Sequence, residues 1–445
     1  MREEGKYVSP LLWVPTGYFT MALGYFMLTS VSAIMFKNLG MDNGKAAQYS
    51  SMLLLAYTIK PLFAPFVEMY RNKKFFVLCA QILIGLGFVG VAVVMSLPSY
   101  MMALMVMFWF MSFFGATQDL STDGVYVTSL DARSQALYCG VLSFSWNIGP
   151  IVAGGGLVYL SGYLHTNVFH HDAKVFGPEW LDAWRIVFAI AGAITLLMAF
   201  WHVKVMPDGA RAADTPTSVG GAARILGESF ATFFKKPGVW YMIAFALLFR
   251  MSPGLLEKVG PFFMVDPASK GGLGMSNEAL GIVYGTYGLV AVLLGSLLGG
   301  WYVARKGLKS ALFPLCCAVN IPNITFLLMA MYLPSNVFLI SAGVVIEKFF
   351  YGFGAVGFMV YLMQQLAPGK FTTTHFAFGT GLMNLCAMLT GSVSGYLQEM
   401  MGYVSYFWIV MLATIPSFIA CWLAPFHNED ETKTAPAGGT AAAAT

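Results

Sequence analysis

The sequence predicts an all-α integral membrane protein with twelve transmembrane helices in two six-helix bundles. Of its 445 residues, 58% are hydrophobic and only 10% are charged, whereas soluble domains carry about 25% charged residues. Apolar runs long enough to cross a bilayer, which takes roughly 20 residues of helix, recur along almost the whole chain. Together these observations exclude a water-soluble domain.

The apolar runs form two sets of six, separated by a polar segment. They lie near 11–36, 47–67, 75–96, 99–127, 135–164 and 184–206, and then near 238–265, 278–304, 310–332, 336–366, 375–399 and 402–425. We therefore expect a first bundle (1–206), a cytoplasmic linker with a short surface helix (207–236), a second bundle (237–426) and a disordered, low-complexity tail (427–445). The start of the chain has no cleavage-site pattern, so the first span is expected to be retained.

The positions of lysine and arginine predict the orientation. With the N-terminus inside, cytoplasmic segments hold sixteen of these residues and external loops hold four. Basic residues accumulate on the cytoplasmic side of membrane proteins. Both termini are therefore expected in the cytoplasm.

Several classes of site lack a sequence pattern. The six cysteines lie in apolar runs without paired spacing, as expected of small core residues. Three histidines, His165, His170 and His171, fall in the largest external loop and are interpreted as polar surface rather than a metal site. With no nucleotide-binding or hydrolase motif, we expect no cofactor, no metal, no nucleic-acid partner and no enzymatic activity.

Charged residues inside the apolar spans are few, and a charge in hydrocarbon is costly, about 2.5–3.5 kcal/mol on insertion scales. The candidates lie in the second, fourth, seventh and tenth spans: Lys60, Asp119, Asp123, Arg250, Glu257, Lys258, Glu347 and Lys348. Asp119 and Asp123 are four residues apart and therefore share one helix face. Such residues line a cavity or pair with one another, and both interpretations stay open. A Pro–Gly pair after Arg250 also allows a local break in the seventh span.

Two short cytoplasmic turns resemble the inner-loop signature of the major facilitator superfamily. One follows the second span and contains Glu68 and Arg71; the other follows the eighth span and contains Arg305. With Lys60, these residues are candidates for inner-loop gating. The resemblance implies two bundles around a shared central cavity, lined by spans one, four, seven and ten, three of which carry buried charge here.

Three further stretches resemble the muropeptide permease (AmpG) and acetyl-CoA transporter family within that superfamily. They are ATQD at 116–119 followed by Asp123, the second-span stretch 60–68, and 347–354 followed by 370–377. In the second-span stretch, Ala64 replaces the family's usual serine and Glu68 its aspartate. The resemblance implies a proton-driven importer of cell-wall-derived muropeptides in a bacterial inner membrane. It also implies that Gln118, Asp119 and Glu347 are essential cavity residues.

From the residues we expect a secondary transporter in the lipid bilayer, whose partners are a small-molecule substrate and protons, and which is a monomer. Asp119 or Glu347 would carry the proton, while Arg250 would serve as counter-ion or bind a substrate carboxylate; Gln118, Asp123 and Lys348 complete the predicted pathway. One alternative is a transporter of another anionic solute, such as a pteridine, a folate or an acyl-coenzyme compound. Another is a membrane-embedded enzyme that uses Asp119 and Asp123 as an acid–base pair.

Overall fold

The computed structural model describes residues 8–70, 72–173, 175–209 and 218–426, and all regular elements in these ranges are helical. Residues 8–209 are called the first half and residues 218–426 the second half. The predicted tail, 427–445, lies outside the described residues. So do the first seven residues and 210–217 of the predicted linker.

The first half is built from long helices joined by short turns. They are α1 (Pro10–Asn38), α2 (Asn43–Met52), α3 (Leu55–Thr58), α4 (Lys60–Tyr70), α5 (Lys73–Val94), α6 (Tyr100–Ser129), α7 (Ala132–Val168) and α8 (Pro178–Val205). Side-chain caps start two of them: Asn72 accepts a hydrogen bond from the backbone N–H of Phe75, and Asp131 from that of Ser134. Such caps satisfy backbone donors that a helix start leaves free.

The second half has the same kind of construction. Its helices are α9 (Val219–Phe234), α10 (Val239–Leu248), α11 (Met251–Val265), α12 (Asn277–Lys306), α13 (Leu308–Tyr332), α14 (Val337–Leu366), α15 (Thr372–Leu412) and α16 (Thr414–Trp422). The short helix α9 lies within the segment predicted to be the linker. Gly307 ends α12 with a φ of 75°, a left-handed conformation that glycine adopts without steric cost.

The all-helical membrane class is confirmed, but the count of twelve spans remains a prediction. Among the described residues, ten helices are long and apolar enough to cross a membrane. The second predicted span is divided into α2, α3 and α4. The last two predicted spans share α15, which bends at Gly402 (φ 75°, ψ 170°) before α16 follows.

Proline explains the interruptions in two helices. The helix is broken at Arg250, between α10 and α11, because Pro253 has no N–H to bond the carbonyl of Phe249, four residues earlier. Likewise α4 begins at Lys60 immediately before Pro61, so the carbonyl of Tyr57 loses its helical donor. Both breaks place a cationic side chain at the start of a helix that faces the molecule's centre.

Glycines allow the helix backbones of the two halves to lie in close contact. A Cβ added at Gly285 on α12 would lie 2.1 Å from the carbonyl oxygen of Gly154 on α7. Similarly, a Cβ at Gly395 on α15 would lie 2.1 Å from the carbonyl of Asn43 on α2. Small residues allow helix backbones to approach this closely in membrane proteins. These contacts pack α7 against α12 and α2 against α15.

Candidate functional site

A cavity of about 1070 Å³ lies between the two halves and is lined by both. It extends from residues near the middle of the long helices to one end of the molecule, where Lys73, Thr128, Ile225 and Lys370 line it. We call this the open end. The opposite end, where α1 meets the start of α2, is called the sealed end.

The sealed end is closed by a buried polar network across the two halves. Lys37 on α1 forms an ion pair with Asp266 at the end of α11, 2.6 Å between Nζ and Oδ1, and these side chains are 5% and 1% exposed. Asn43 donates to Oδ2 of Asp266 at 2.9 Å and to Gln398 at 2.7 Å, and the Tyr403 hydroxyl donates to the same Oδ2 at 2.5 Å. One carboxylate of the second half thus collects donors from both halves.

Further polar contacts extend this closure. The backbone N–H of Gly44 donates to Glu399 at 2.8 Å, and Asn277 donates to Asn38 at 2.7 Å. Between described residues, the side-chain hydrogen bonds and ion pairs that join the halves lie toward the sealed end or between it and the cavity. The cavity is therefore accessible from the open end and closed at the sealed end.

In the first half, two predicted carboxylates reach the cavity. Asp119 on α6 forms an ion pair with Lys60 on α4, and both side chains are largely buried. Asp123, one turn further, accepts a hydrogen bond from the Tyr18 hydroxyl at 2.8 Å. Gln118 is buried but does not line the cavity, and its side-chain nitrogen has no hydrogen-bond partner among the described residues. Its neighbour Asp119 points into the cavity because successive helical residues are rotated by about 100°.

In the second half, the break before α11 points a guanidinium into the cavity. Arg250 donates to the Tyr351 hydroxyl and lies 4.0 Å from the Glu257 carboxylate, whose side chain is 42% exposed. The guanidinium also lies 5.7 Å from the Tyr351 ring centroid, within the range of a cation–π contact. Arg250 is thus held mainly by an aromatic residue.

The tenth predicted span contributes a second ion pair. Glu347 and Lys348 on α14 both line the cavity, 3.2 Å apart between Oε2 and Nζ. The Lys348 ammonium also lies 4.5 Å from the ring centroid of Tyr284 and 5.6 Å from that of Tyr351. All the predicted pathway residues except Gln118 therefore line one cavity.

The predicted inner-loop residues are distributed differently. Lys60 lines the cavity, whereas Arg305 lies at the end of α12 with its guanidinium 4.4 Å from the Trp301 ring centroid and is not part of the lining. Glu68 belongs to α4, but its side chain lies outside the description, and Arg71 lies outside the described residues. Their gating role stays a prediction.

The sequence interpretation missed the sealed-end pair. Lys37 is one of the four basic residues counted above in external loops, and Asp266 was not considered. The sequence did contain a signal. Lys37 follows the first span of the first predicted bundle, and Asp266 follows the first span of the second. These positions are equivalent in a repeated architecture, and the two residues have opposite charges. The interpretation of the external histidines as polar surface is wrong for His165, which is buried and stacks on Trp180, 3.7 Å between ring centroids. His170 and His171 are exposed.

A cluster of aromatic rings on the first-half wall was also not predicted as a unit. Tyr25 lies 5.0 Å from Tyr57 and 5.8 Å from Trp146 between ring centroids, and Phe26 lies 6.0 Å from Trp146. All four residues line the cavity. The arrangement offers aromatic faces on one wall and cationic groups on the other, so it can bind a solute that has both apolar rings or sugars and negative charge.

Known proteins resemble this chain over most of its length. A putative transporter, AmpG 4, of Rickettsia conorii is 22% identical over 412 residues, which are 89% of this chain and 92% of that protein. The anhydromuropeptide permease of Escherichia coli K12 is 22% identical over 382 residues, 84% of this chain and 72% of the permease. The resemblance to muropeptide permeases inferred from the sequence motifs is thereby confirmed.

A solved structure shows the same fold. A bacterial homologue of the human lysosomal transporter Spinster, in an inward-facing and unoccupied conformation, aligns with a TM-score of 0.70 at 15% identity, covering 95% of this chain and 98% of its own. The family model of the Major Facilitator Superfamily matches residues 16–395. This chain is a multi-pass membrane protein that belongs to the Major Facilitator Superfamily of transporters.

Proposed function

We propose that this protein is a proton-coupled importer of cell-wall-derived muropeptides, or related amino-sugar and peptide solutes, across a bacterial inner membrane. The observation that carries the proposal is the convergence of charged residues from both halves on one cavity that is sealed at a single end. Alternating access requires a central site between two rocking halves. Each chain contains a complete cavity, so we propose a monomer as the working unit.

We infer the orientation from the distribution of basic residues. With both termini in the cytoplasm, the open end lies on the cytoplasmic side, since Lys73 and Lys370 lie at that end. The structure then corresponds to an inward-facing state. In this state an importer releases its substrate.

The size and lining of the cavity support a large, amphiphilic substrate. Ligand pockets are about 300–1,000 Å³, and this cavity of about 1070 Å³ lies just above that range. The rings of Phe26 and Trp146 offer flat faces to sugars, while Arg250 and Lys348 suit carboxylates. A muropeptide, which joins a disaccharide to a short peptide, has both features. The names of the relatives support the same substrate class.

Proton coupling is proposed at Asp119 or Glu347, each of which is paired with a lysine in the structure. When a buried carboxylate takes up a proton, its cationic partner loses its counter-charge, which is strongly unfavourable unless another anion replaces it. Protonation can therefore be linked to binding of an anionic substrate near the released cation. Asp123 and Lys60 would complete the pathway beside Asp119.

The test is uptake of labelled anhydro-muropeptide into proteoliposomes, with and without an inward proton gradient. Wild-type protein is expected to show gradient-driven uptake, and Asp119→Asn is expected to abolish the effect of the gradient because an amide does not change its charge near neutral pH. Asp182→Asn is the matched control, since its carboxylate forms an exposed pair with Arg185, and it should transport normally.

Two results would contradict parts of the proposal. If Asp119→Asn still responds fully to the gradient, Asp119 does not carry the proton and Glu347→Gln becomes the next variant. If folded wild-type protein neither binds nor transports the muropeptide, that substrate is wrong. A screen for thermal stabilisation by pteridines and acyl-coenzyme compounds would then test the alternative substrates, because a ligand stabilises the folded state that binds it.

A further inference from the structure

A buried lysine joins the two halves between the cavity and the sealed end. The ammonium of Lys258 on α11 donates a hydrogen bond to the backbone carbonyl of Thr29 on α1. Lys258 is 5% exposed and Thr29 is 3% exposed, yet Lys258 lines the cavity. This is a direct bond between a cavity side chain and the opposite half.

Among the described residues, Lys258 lacks the close counter-charge that the other cations deep in the cavity have. Lys60 is paired with Asp119, Lys348 with Glu347, and Arg250 lies beside Glu257. Within the described residues, no carboxylate lies within 4.0 Å of the Lys258 ammonium. A buried charge without a partner of opposite sign is costly. Asp123 supplies a fourth carboxylate to the cavity but accepts a hydrogen bond from Tyr18, so among the described residues the Lys258 ammonium has no anion beside it.

The position of the bond relates it to the closure of the sealed end. Thr29 precedes Lys37 by eight residues on α1, and Lys258 precedes Asp266 by eight residues at the end of α11. Both contacts therefore join the same two helices. Eight residues of helix separate the two contacts by about 12 Å along the helix axis. Separation of α1 from α11 at the sealed end has to break both.

The backbone of α1 is irregular at the point of contact. Thr29 lies in a π-helical turn, Met27–Val31, and such turns are frequent at functional sites because they disturb the regular hydrogen-bond ladder. A carbonyl in this turn can accept a bond from outside its own helix.

We propose that Lys258 links substrate binding to the sealed end by exchanging partners: it binds the Thr29 carbonyl when that end is closed and a carboxylate of the substrate when that end is open. The inference rests on the proposed function because it requires a transported anion. Closure of the end transfers the ammonium to Thr29 and weakens the hold on the substrate, which is released through the open end. By linkage, the substrate in turn favours the state in which the Thr29 bond is broken.

The first experiment needs no ligand. Spin labels at Lys45 and Met400, which are exposed positions near the sealed end on α2 and α15, report the separation of the halves in a background without native cysteines. Lys258→Met has similar size but no donor, so longer distances should gain population. Lys258→Arg retains charge and donors and should resemble the wild type. Lys270→Met, an exposed lysine on the same side, is the matched control and should change nothing.

The second experiment measures binding of anhydro-muropeptide and of the same compound with its carboxylates methyl-esterified. A charge-assisted hydrogen bond contributes about 1.5–3 kcal/mol, so Lys258→Met should weaken binding of the free acid by roughly ten- to a hundredfold. Binding of the ester should change little between wild type and Lys258→Met. In wild type, the free acid should lengthen the distances between the labels and the ester should not.

The outcomes separate this inference from the proposed function. Unchanged distances in ligand-free Lys258→Met would overturn the partner exchange, as would an equal loss of affinity for acid and ester. If wild type binds neither compound, the muropeptide assignment fails. The ligand-free distances still decide whether Lys258 holds the sealed end. If Lys258→Met fails to fold, the wild-type comparison decides: equal lengthening of the label distances by the free acid and the ester would overturn the partner exchange.

Discussion

The two ends of the cavity use the same kind of ion pair in opposite surroundings. At the sealed end, Lys37 and Asp266 are 2.6 Å apart and 5% and 1% exposed. At the open end, Lys370 and Glu228 are 3.3 Å apart and 70% and 44% exposed. Water and salt screen the exposed pair, which contributes at most about 1 kcal/mol, whereas removal of one partner from a buried pair costs about 3–5 kcal/mol. The sealed end is thus held by a buried pair that joins the two halves, whereas the open-end pair is exposed and lies within the second half.

The chemistry of the sealed end also explains how it can open. Asn43 and Tyr403 donate to Asp266, and Asn43 also donates to Gln398. Because all of these groups are polar, each can form hydrogen bonds with water when the halves separate. A buried ion pair is often no more stable than a hydrophobic contact of the same size. A polar closure can therefore be firm when complete and still reversible.

The largest expected effect is that of Asp266→Asn. The variant leaves Lys37 buried without a counter-charge, so we expect a loss of about 3–5 kcal/mol from the sealed state. A cysteine at Ala46, which is buried on α2 near this end, should then react faster with a membrane-impermeant thiol reagent.

The control for this prediction replaces both partners. Lys37→Met combined with Asp266→Leu removes both charges and should recover part of the lost protection, because no unpaired charge remains. Equal reactivity in wild type and Asp266→Asn would show that the pair does not hold the end closed.

A smaller effect is expected from the glycine contact between α7 and α12, which joins the halves between the two ends. Gly285→Ala places a methyl group against the Gly154 carbonyl, and overpacking of this kind costs about 1–3 kcal/mol. The thermal unfolding midpoint of the purified protein should fall. Gly156→Ala is the matched control, since a Cβ there meets no atom within 4 Å; an equal decrease in both variants would refute the packing argument.

At the open end, Lys236 should give a pH-dependent effect. Its ammonium donates to the carbonyls of Leu366 and Pro368, and burial lowers the pKa of Lys236 from 10.5 to about 8. The unfolded state therefore binds more protons between about pH 8 and 10.5, so stability should rise with pH across this interval. Unfolding midpoints of wild type and Lys236→Met, measured from pH 7 to 10.5, should diverge in favour of wild type; a constant difference would contradict the shifted pKa.

The smallest effect is expected from the exposed pair at the open end. Lys370→Met should change the unfolding midpoint only slightly, since exposed pairs contribute about 0–1 kcal/mol and are screened by salt. The remaining effect should disappear in 1 M sodium chloride. A loss comparable to that of Asp266→Asn would remove the contrast between the two ends.

The sequence by itself determined the class of the fold and most of the cavity residues. Hydrophobic runs of membrane length and scarce charge are local properties, so they can be read without tertiary contacts. The cost of charge in hydrocarbon also makes residues such as Asp119, Arg250 and Glu347 conspicuous. Their positions on the fourth, seventh and tenth spans predicted a shared cavity, and the structure places them in one.

Only the tertiary structure decided how the charges are paired and which of them face the cavity. Gln118 and Asp119 are adjacent in sequence but differ in exposure to the cavity because helix rotation and neighbouring helices set each side chain's environment. Lys37 and Asp266 are 229 positions apart in the chain, and their pairing depends on the packing of α1 against α11. Partner choice is a property of long-range contacts, whereas span length and charge scarcity are properties of short stretches. For that reason the sequence determined the membrane fold and its charged interior, and the structure decided which end is sealed and by which residues.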